Sequence, residues 1–169
     1  HIGNARPLCV FDVLRRYLEW RGLDVRFVQN FTDIDDKLIK KANEEGITVP
    51  EVAKRYIEEF WVDAKGLNVR EATTHPKATE NIDAIIDIIS TLVEKGYAYQ
   101  AGENIYFDTS KLQNYYVFGN QNEEELMVGV RDDVTEDTNK KNKNDFVLWF
   151  TKSKFEDQAL KWDSPWGVG

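Results

Sequence analysis

Hydrophobic positions recur at three- and four-residue spacing along much of the first half of the chain, which is the pattern of amphipathic helices. The opening stretch predicts one helix that stops at Gly22; its apolar positions are Val10, Phe11, Leu14, Tyr17 and Leu18. A second helix is predicted over residues 33–45. Thr48 and Glu51 have the spacing of a capping box, and Pro50 falls in the first turn, so a third helix begins there.

Shorter segments alternate with these helices. A fourth helix begins at Ile82 and is closed by Gly96. Residues 24–32 are rich in Val and Phe and predict a strand, residues 97–108 predict a hairpin, and residues 145–150 predict a buried strand. The order helix, strand, helix at the start favours an α/β fold over a bundle, with ligands bound beyond the carboxyl ends of strands, next to helix N-termini.

The composition is that of an acidic globular protein. Hydrophobic residues make up 41% of the chain, which is enough for a packed core. The formal net charge of −8 excludes a basic nucleic-acid coat but leaves room for a local basic patch. No apolar run approaches the roughly 20 residues that span a bilayer. We therefore expect no membrane association and a soluble, cytoplasmic protein.

The single cysteine, Cys9, excludes a disulfide framework and a Cys-rich zinc module. It lies among apolar residues and is predicted to be a buried helix residue. His75, which precedes a proline, is predicted to be a turn residue, and residues 110–144 are predicted to form a solvated loop. The chain begins at His1 without a methionine, so we expect an internal segment of a longer protein.

The tetrapeptide His1-Ile2-Gly3-Asn4 is the first candidate for chemistry. It stands at the start of the first helix, where backbone N–H groups and the helix dipole favour an anion. Gly3 would let a nucleotide approach the backbone closely, and His1 and Asn4, about one turn apart, could both donate to phosphate oxygens. A polar helix cap without any function would have the same sequence, so this motif alone leaves both interpretations open.

The second candidate follows the predicted strand, at Thr32 and Asp33. Three carboxylates in this acidic stretch could hold a metal, cap a helix or bind an amine, although a calcium loop is excluded because Lys37 stands where a ligand is needed. Asp35 or Asp36 fits helix capping best. Thr32 and Asp33 would face the crevice itself, where a carboxylate suits a substrate ammonium or a ribose hydroxyl.

Seven blocks of sequence carry a resemblance to a known family; they lie at residues 1–6, 11–18, 28–37, 41–46, 75–80, 94–99 and 162–167. The first looks like the class I His-Ile-Gly-His signature with Asn4 in the fourth place. The block Val-Gln-Asn-Phe-Thr-Asp-Ile-Asp-Asp-Lys at 28–37 is the most distinctive. Together the blocks resemble the cysteinyl-tRNA synthetase family of class I aminoacyl-tRNA synthetases, over nearly the whole chain.

The resemblance implies ATP-dependent ligation of cysteine to its tRNA through a cysteinyl-adenylate. By similarity, His1 and Asn4 would be catalytic and bind ATP, with Gly3 under the adenine. Thr32 and Asp33 would line the amino-acid pocket. ATP and Mg²⁺ are implied as cofactors, cysteine and tRNA as partners.

The resemblance also implies Zn²⁺ that takes the substrate thiolate, with ligands outside this segment, and a Lys-Met-Ser-Lys-Ser loop that is absent here. Cys9 matches none of the zinc ligands. Residues 111–129 and Phe150 depart from the family pattern. We therefore expect the 169 residues by themselves to be inactive.

The resemblance further implies a partial Rossmann-like catalytic domain over residues 1–109, a connective insertion over residues 110–150 and a return toward the catalytic domain over residues 151–169. Two other functions stay open at this point. One is a ligase of the same fold that joins cysteine to an amino-sugar. The other is a non-catalytic RNA-binding or scaffold module.

Overall fold

The computed structural model describes residues 2–113, 115, 139–151 and 160–169. The chain divides into two compact units, one up to Ile82 and one from Asp83 onward. No helix in the described ranges is long and apolar enough to cross a bilayer.

Three helices build the first unit: α1 (Ile2–Trp20), α2 (Asp36–Glu45) and α3 (Val49–Gly66). The predicted stop after α1 is confirmed, because Gly22 follows with a φ of 86°, a left-handed conformation that costs glycine little. α2 starts later than predicted. Asp35 is its N-cap, and its carboxylate accepts a hydrogen bond from the Leu38 N–H at 2.9 Å.

The capping box predicted at Thr48 is present. The Glu51 N–H donates to the Thr48 hydroxyl, and the Glu51 carboxylate accepts from the Thr48 N–H at 2.8 Å. Val52 and Ala53 then face inward and are buried, and α3 packs against α2. The capping box therefore sets where α3 begins, and the apolar residues of its first turns pack inward.

A buried carboxylate ties α1 to the stretch that follows α3. Asp12 is 7% exposed; it accepts a hydrogen bond from the Arg16 side chain at 2.6 Å and from the backbone N–H of Arg70 at 3.1 Å. Burial opposes ionisation of Asp12, but the two arginines outweigh it and hold the pKa of this carboxyl below its usual value.

The prediction of a regular strand over residues 24–32 is wrong. The segment is extended and pairs in parallel with the stretch after α3, but only through isolated bridges: Val28 with Thr74, and Phe31 with Lys77. A continuous ladder would require a hydrogen bond from the backbone nitrogen of Pro76 between these bridges, and proline has no N–H. The parallel direction itself fits an α/β domain.

In its described part, the second unit contains all of α4 (Ile82–Glu94) except its first residue, and a short 3₁₀ helix (Thr109–Lys111). It also contains an antiparallel sheet in the order β1-β2-β3, with β1 (Ala98–Ala101), β2 (Asn104–Phe107) and β3 (Phe146–Trp149). The predicted hairpin is confirmed. The last strand is present, but the prediction that it is buried is wrong, since Phe146 is exposed and only Trp149 of its four residues is buried. Ile105 and Tyr106 at the centre of β2 are 0% exposed and form the core of the sheet.

The final stretch is an aromatic turn, as predicted. Trp162 and Gly169 exchange backbone hydrogen bonds of 2.8 and 3.0 Å, and the Trp166 ring lies 6.3 Å from that of Trp149. Most of the predicted loop over residues 110–144 lies outside the described residues. The boundaries at 109/110 and 150/151 stay predictions.

Asp145 is the polar centre of the second unit and is 2% exposed. Its carboxylate accepts hydrogen bonds from the Tyr99 hydroxyl at 2.6 Å, from the Thr109 N–H and hydroxyl at 2.9 Å each, and from the Asn142 N–H at 3.0 Å. None of the ion pairs in the described ranges includes Asp145. Among the described residues, oriented dipoles rather than a cationic partner therefore stabilise this buried anion.

The hydrogen bonds at Asp145 shift two pKa values in opposite directions. Burial raises the pKa of the Asp145 carboxyl, but the donors from Tyr99, Thr109 and Asn142 outweigh burial and lower it below its usual value. Burial and the hydrogen bond to Asp145 raise the pKa of Tyr99 to about 12. Lys141 also contacts Tyr99, with its Nζ 4.2 Å from the ring centroid.

These shifts predict the pH range in which the network is stable. The lowered pKa of Asp145 means that its contribution is complete above about pH 4 and is lost as the pH falls through the folded-state pKa. The raised pKa of Tyr99 means that its contribution is complete below pH 10 and is lost as the pH rises toward 12. Asp145→Asn should reduce the free energy of unfolding at neutral pH by about 1–3 kcal/mol.

The measurement is urea unfolding at several pH values, with the exposed Asp87→Asn as the matched control. The difference between wild type and Asp145→Asn should shrink as the pH falls below about 4. If this difference stays constant down to acid pH, the ionisation of Asp145 is not the cause of the pH dependence of the free energy of unfolding.

Candidate functional site

Thr32 and Asp33 lie where the extended segment ends, before α2 begins. Both line a cavity of about 190 Å³ whose other walls come from α2 and α3, among them Tyr56, Ile57 and Phe60. The walls are mostly apolar, and the polar groups of the residues that line the cavity are the Thr32 and Tyr56 hydroxyls and the Asp33 carboxylate. The structure therefore brings the second predicted pair of site residues together at one cavity.

Thr32 and Asp33 differ in how they are held. Thr32 is exposed, and its hydroxyl accepts a hydrogen bond from the Asn30 side chain at 3.3 Å. Asp33 is 8% exposed; one carboxylate oxygen accepts from the Thr79 N–H at 3.0 Å and the other from the Thr79 hydroxyl at 2.5 Å. Asp33 thus anchors the chain that precedes α4 as well as facing the cavity.

A second cavity of about 380 Å³ shares Asp33 as a wall. Trp61 of α3 lines it together with Lys77 and Thr79 from the stretch after α3. The Lys77 ammonium is 2.8 Å from a Glu80 carboxylate oxygen, and this pairing raises the pKa of Lys77. Charged side chains of both signs therefore line the second cavity, whereas Asp33 is the only charged residue among the described residues that line the first.

Aromatic rings contribute to the walls of both cavities. Phe31 packs edge-on against Phe60 at 5.3 Å and Trp61 at 5.7 Å between ring centroids. The His75 imidazole stacks on Phe31 at 5.4 Å and meets Trp61 edge-on at 4.6 Å. Because these rings interlock, the backbone at Phe31 is held from the α3 side.

Gly3 and Asn4, from the first candidate motif, belong to the same compact unit as Thr32 and Asp33. Gly3 and Asn4 are in the first turn of α1 and are exposed, and their role at a ligand stays a prediction. Neither lines the cavity beside Thr32. His1 lies outside the described residues, so the pairing of His1 with Asn4 stays a prediction.

Two residues that shape this region, Thr79 and His75, were not predicted from the sequence to do so. Thr79 supplies both donors to Asp33 from a position 46 residues away. His75 lies in the extended stretch rather than in the predicted turn, and its ring is part of the aromatic cluster. The sequence contains no local signal for either contact, although both residues fall within a block, at residues 75–80, that carries the family resemblance.

The residues present do not fit a zinc ion. Within the described ranges, no group of three or more His, Cys, Asp or Glu side chains could hold a metal. Cys9 is a half-buried free thiol on α1. No chemical step is therefore assigned to a metal held by these residues.

Comparison with known proteins identifies the family. The family model described as the catalytic domain of class I (C) tRNA synthetases matches residues 1–169. The chain belongs to this family. The predicted membership of the cysteinyl-tRNA synthetases and the α/β class of a class I catalytic domain are confirmed.

Two curated members of the synthetase family show how much of a relative the chain represents. A cysteine–tRNA ligase of Clostridioides difficile (strain 630) is 51% identical over 169 residues, which cover 100% of this chain and 35% of the relative. A cysteine–tRNA ligase of Limosilactobacillus fermentum (strain NBRC 3956 / LMG 18251) is 51% identical over 171 residues, covering 100% of this chain and 36% of the relative. The chain thus spans about a third of the length of these relatives.

The Asp33–Thr79 contact generates a prediction about stability. Thr79→Val removes the hydroxyl that donates to Asp33 and leaves a buried carboxylate oxygen without that donor. We expect a loss of about 1–3 kcal/mol in the free energy of unfolding, measured by urea titration. Thr79→Ser should retain most of the wild-type value because it keeps the hydroxyl.

Thr91→Val is the matched control, since Thr91 is an exposed threonine on α4. An equal loss in Thr79→Val and Thr91→Val would show that the Asp33 contact adds nothing.

Proposed function

We propose that this chain forms part of the catalytic domain of a ligase that joins cysteine to its tRNA at the expense of ATP. The observation that carries the proposal is the 51% identity to two proteins named cysteine–tRNA ligase over the whole chain. The amino-sugar ligase and the non-catalytic module have no comparable support. The full-length ligase is a protein of the relatives' length that contains this chain.

In the first step, a carboxylate oxygen of cysteine attacks the α-phosphorus of ATP. The bond between the α- and β-phosphates breaks, and pyrophosphate leaves with the electron pair. We propose that His1 and Asn4 donate hydrogen bonds to the phosphate oxygens, where charge increases in the transition state. The N-terminus of α1 favours the same charge, and Gly3 allows the adenine to lie close to the backbone.

In the second step, a hydroxyl of the terminal ribose of the tRNA attacks the acyl carbon. The bond between the acyl carbon and the phosphate oxygen breaks, AMP leaves with its electron pair, and the proton of the hydroxyl passes to a phosphate oxygen of the departing AMP. The protein positions the two reactants and supplies dipoles for the developing charge, which is the main source of rate in such transfers.

We propose that Thr32 lines the pocket for cysteine and that Asp33 holds this pocket in shape while facing it. The support is that both residues line one cavity of about 190 Å³. Since Thr79 already occupies a site on each Asp33 oxygen, one lone pair of each remains for a substrate ammonium.

The remaining parts of the proposal come from the family. Mg²⁺ would accompany the ATP phosphates, and Zn²⁺ would be held by ligands outside these residues. The connective insertion would occupy residues 110–150, between the catalytic parts at residues 1–109 and 151–169. A cytoplasmic location belongs to the same proposal.

The test of the first step is cysteine-dependent ATP–pyrophosphate exchange by the full-length ligase. We expect exchange with cysteine, and a decrease of about 100-fold in kcat for Asn4→Ala or His1→Ala with the KM for cysteine changed less than about twofold. Glu59→Gln, at an exposed position of α3, is the control. Absence of exchange in the wild type would overturn the proposal; unchanged kcat in both variants would overturn only the roles of His1 and Asn4.

The acceptor is tested separately. The full-length ligase is supplied with cysteine, ATP and either tRNA or an amino-sugar, and the transfer of labelled cysteine is measured. We expect transfer to tRNA alone. Transfer to the amino-sugar alone would replace the proposed function by the related ligase of the same fold.

A further inference from the structure

The parallel pairing that ends at Phe31 lacks one hydrogen bond in its middle. On one side of the gap, the Gln29 N–H donates to the Thr74 carbonyl at 3.1 Å. On the other side, the Phe31 N–H donates to the Pro76 carbonyl at 2.9 Å. Between them, a regular parallel ladder would have a bond from the nitrogen of residue 76 to the Gln29 carbonyl, and Pro76 cannot supply it.

The His75 side chain occupies that place. Its Nδ1 is 3.0 Å from the Gln29 carbonyl oxygen, and its Nε2 accepts a hydrogen bond from the Ala72 N–H at 2.9 Å. Because a carbonyl oxygen only accepts, Nδ1 must carry the proton, and because the Ala72 N–H only donates, Nε2 must be bare. The surroundings therefore select the neutral imidazole protonated at Nδ1.

The same ring contacts the walls of both cavities. It stacks on Phe31, which lines the cavity beside Thr32, and packs against Trp61, which lines the second cavity. Phe31 directly precedes Thr32 in the chain. A displacement of the imidazole would therefore move the backbone from which the Thr32 hydroxyl projects.

We infer that His75 is a positioning residue for the amino-acid pocket: its Nδ1–H replaces the hydrogen bond that Pro76 lacks and fixes Phe31, and through Phe31 the place of Thr32. This inference rests on the proposed function. Its consequence is specific, since loss of the bond should weaken the binding of cysteine and leave the binding of ATP unaffected.

Two variants separate the hydrogen bond from the packing of the ring. His75→Phe keeps an aromatic ring between Phe31 and Trp61 but removes both hydrogen bonds. His75→Asn removes the ring but places an amide N–H where Nδ1 stands, so it can still donate to Gln29. Glu59→Gln, which is exposed on α3, serves as the control.

The experiment measures ATP–pyrophosphate exchange by the full-length ligase with cysteine and ATP varied in turn, and thermal unfolding of each variant. For His75→Phe we expect the KM for cysteine to rise about five- to tenfold, with kcat and the KM for ATP within about twofold of wild type. For His75→Asn we expect a KM for cysteine within about threefold of wild type. If His75→Phe does not fold, His75→Leu takes its place in the comparison with His75→Asn.

The outcomes distinguish this inference from the proposed function. A wild type that does not exchange pyrophosphate with cysteine overturns the proposed function. An active wild type with an unchanged KM for cysteine in His75→Phe overturns the inference alone. Equal increases in the KM for cysteine and for ATP would show that His75 acts on the unit as a whole, which also overturns the inference.

Discussion

Proline has no N–H, and this property of Pro76 determines how the central backbone pairing of the first unit is built. Hydrogen bonds are present on both sides of the gap, but the pairing is divided into two isolated bridges. The segment ends at Thr32 and Asp33, so the interruption lies directly before the cavity that these residues line. The position of the cavity thus depends on side chains, the His75 imidazole and the Phe31 ring, where an ordinary sheet would depend on main chain alone.

Three buried carboxylates, Asp12, Asp33 and Asp145, hold together parts of the chain that are far apart in sequence. Their most distant partners lie 58, 46 and 46 residues away and include backbone N–H groups of irregular stretches. Such groups have no ladder or helix to satisfy them, and a carboxylate that accepts them removes the cost of burying them. Asp12 also has arginine partners, whereas hydrogen bonds to neutral groups surround Asp145. Each carboxylate therefore connects segments of its own unit that are distant in sequence.

The features that depend on residues close together along the chain were predicted correctly from the sequence. The capping box at Thr48, the glycine stop after α1 and the hairpin at residues 97–108 follow from local spacing. The prediction of a regular strand at residues 24–32 was wrong because the regularity of that strand depends on Pro76, which lies in another segment. No local pattern reveals which residue of another segment will pair with residues 24–32. Thr79 was missed for the same reason. The family was recognisable because seven blocks recur in order, which local physics would not reveal.

The hydrogen bonds at Asp145 have a consequence for how the length of the chain can vary among relatives. The backbone N–H groups of Thr109 and Asn142 both donate to the Asp145 carboxylate, so the point where the chain leaves β2 and the point where it returns toward β3 are held close together. One carboxylate therefore holds both ends of the stretch between Thr109 and Asn142, and it does so independently of how many residues separate them along the chain. Relatives can differ in the length of this stretch while the two points that Asp145 connects stay the same.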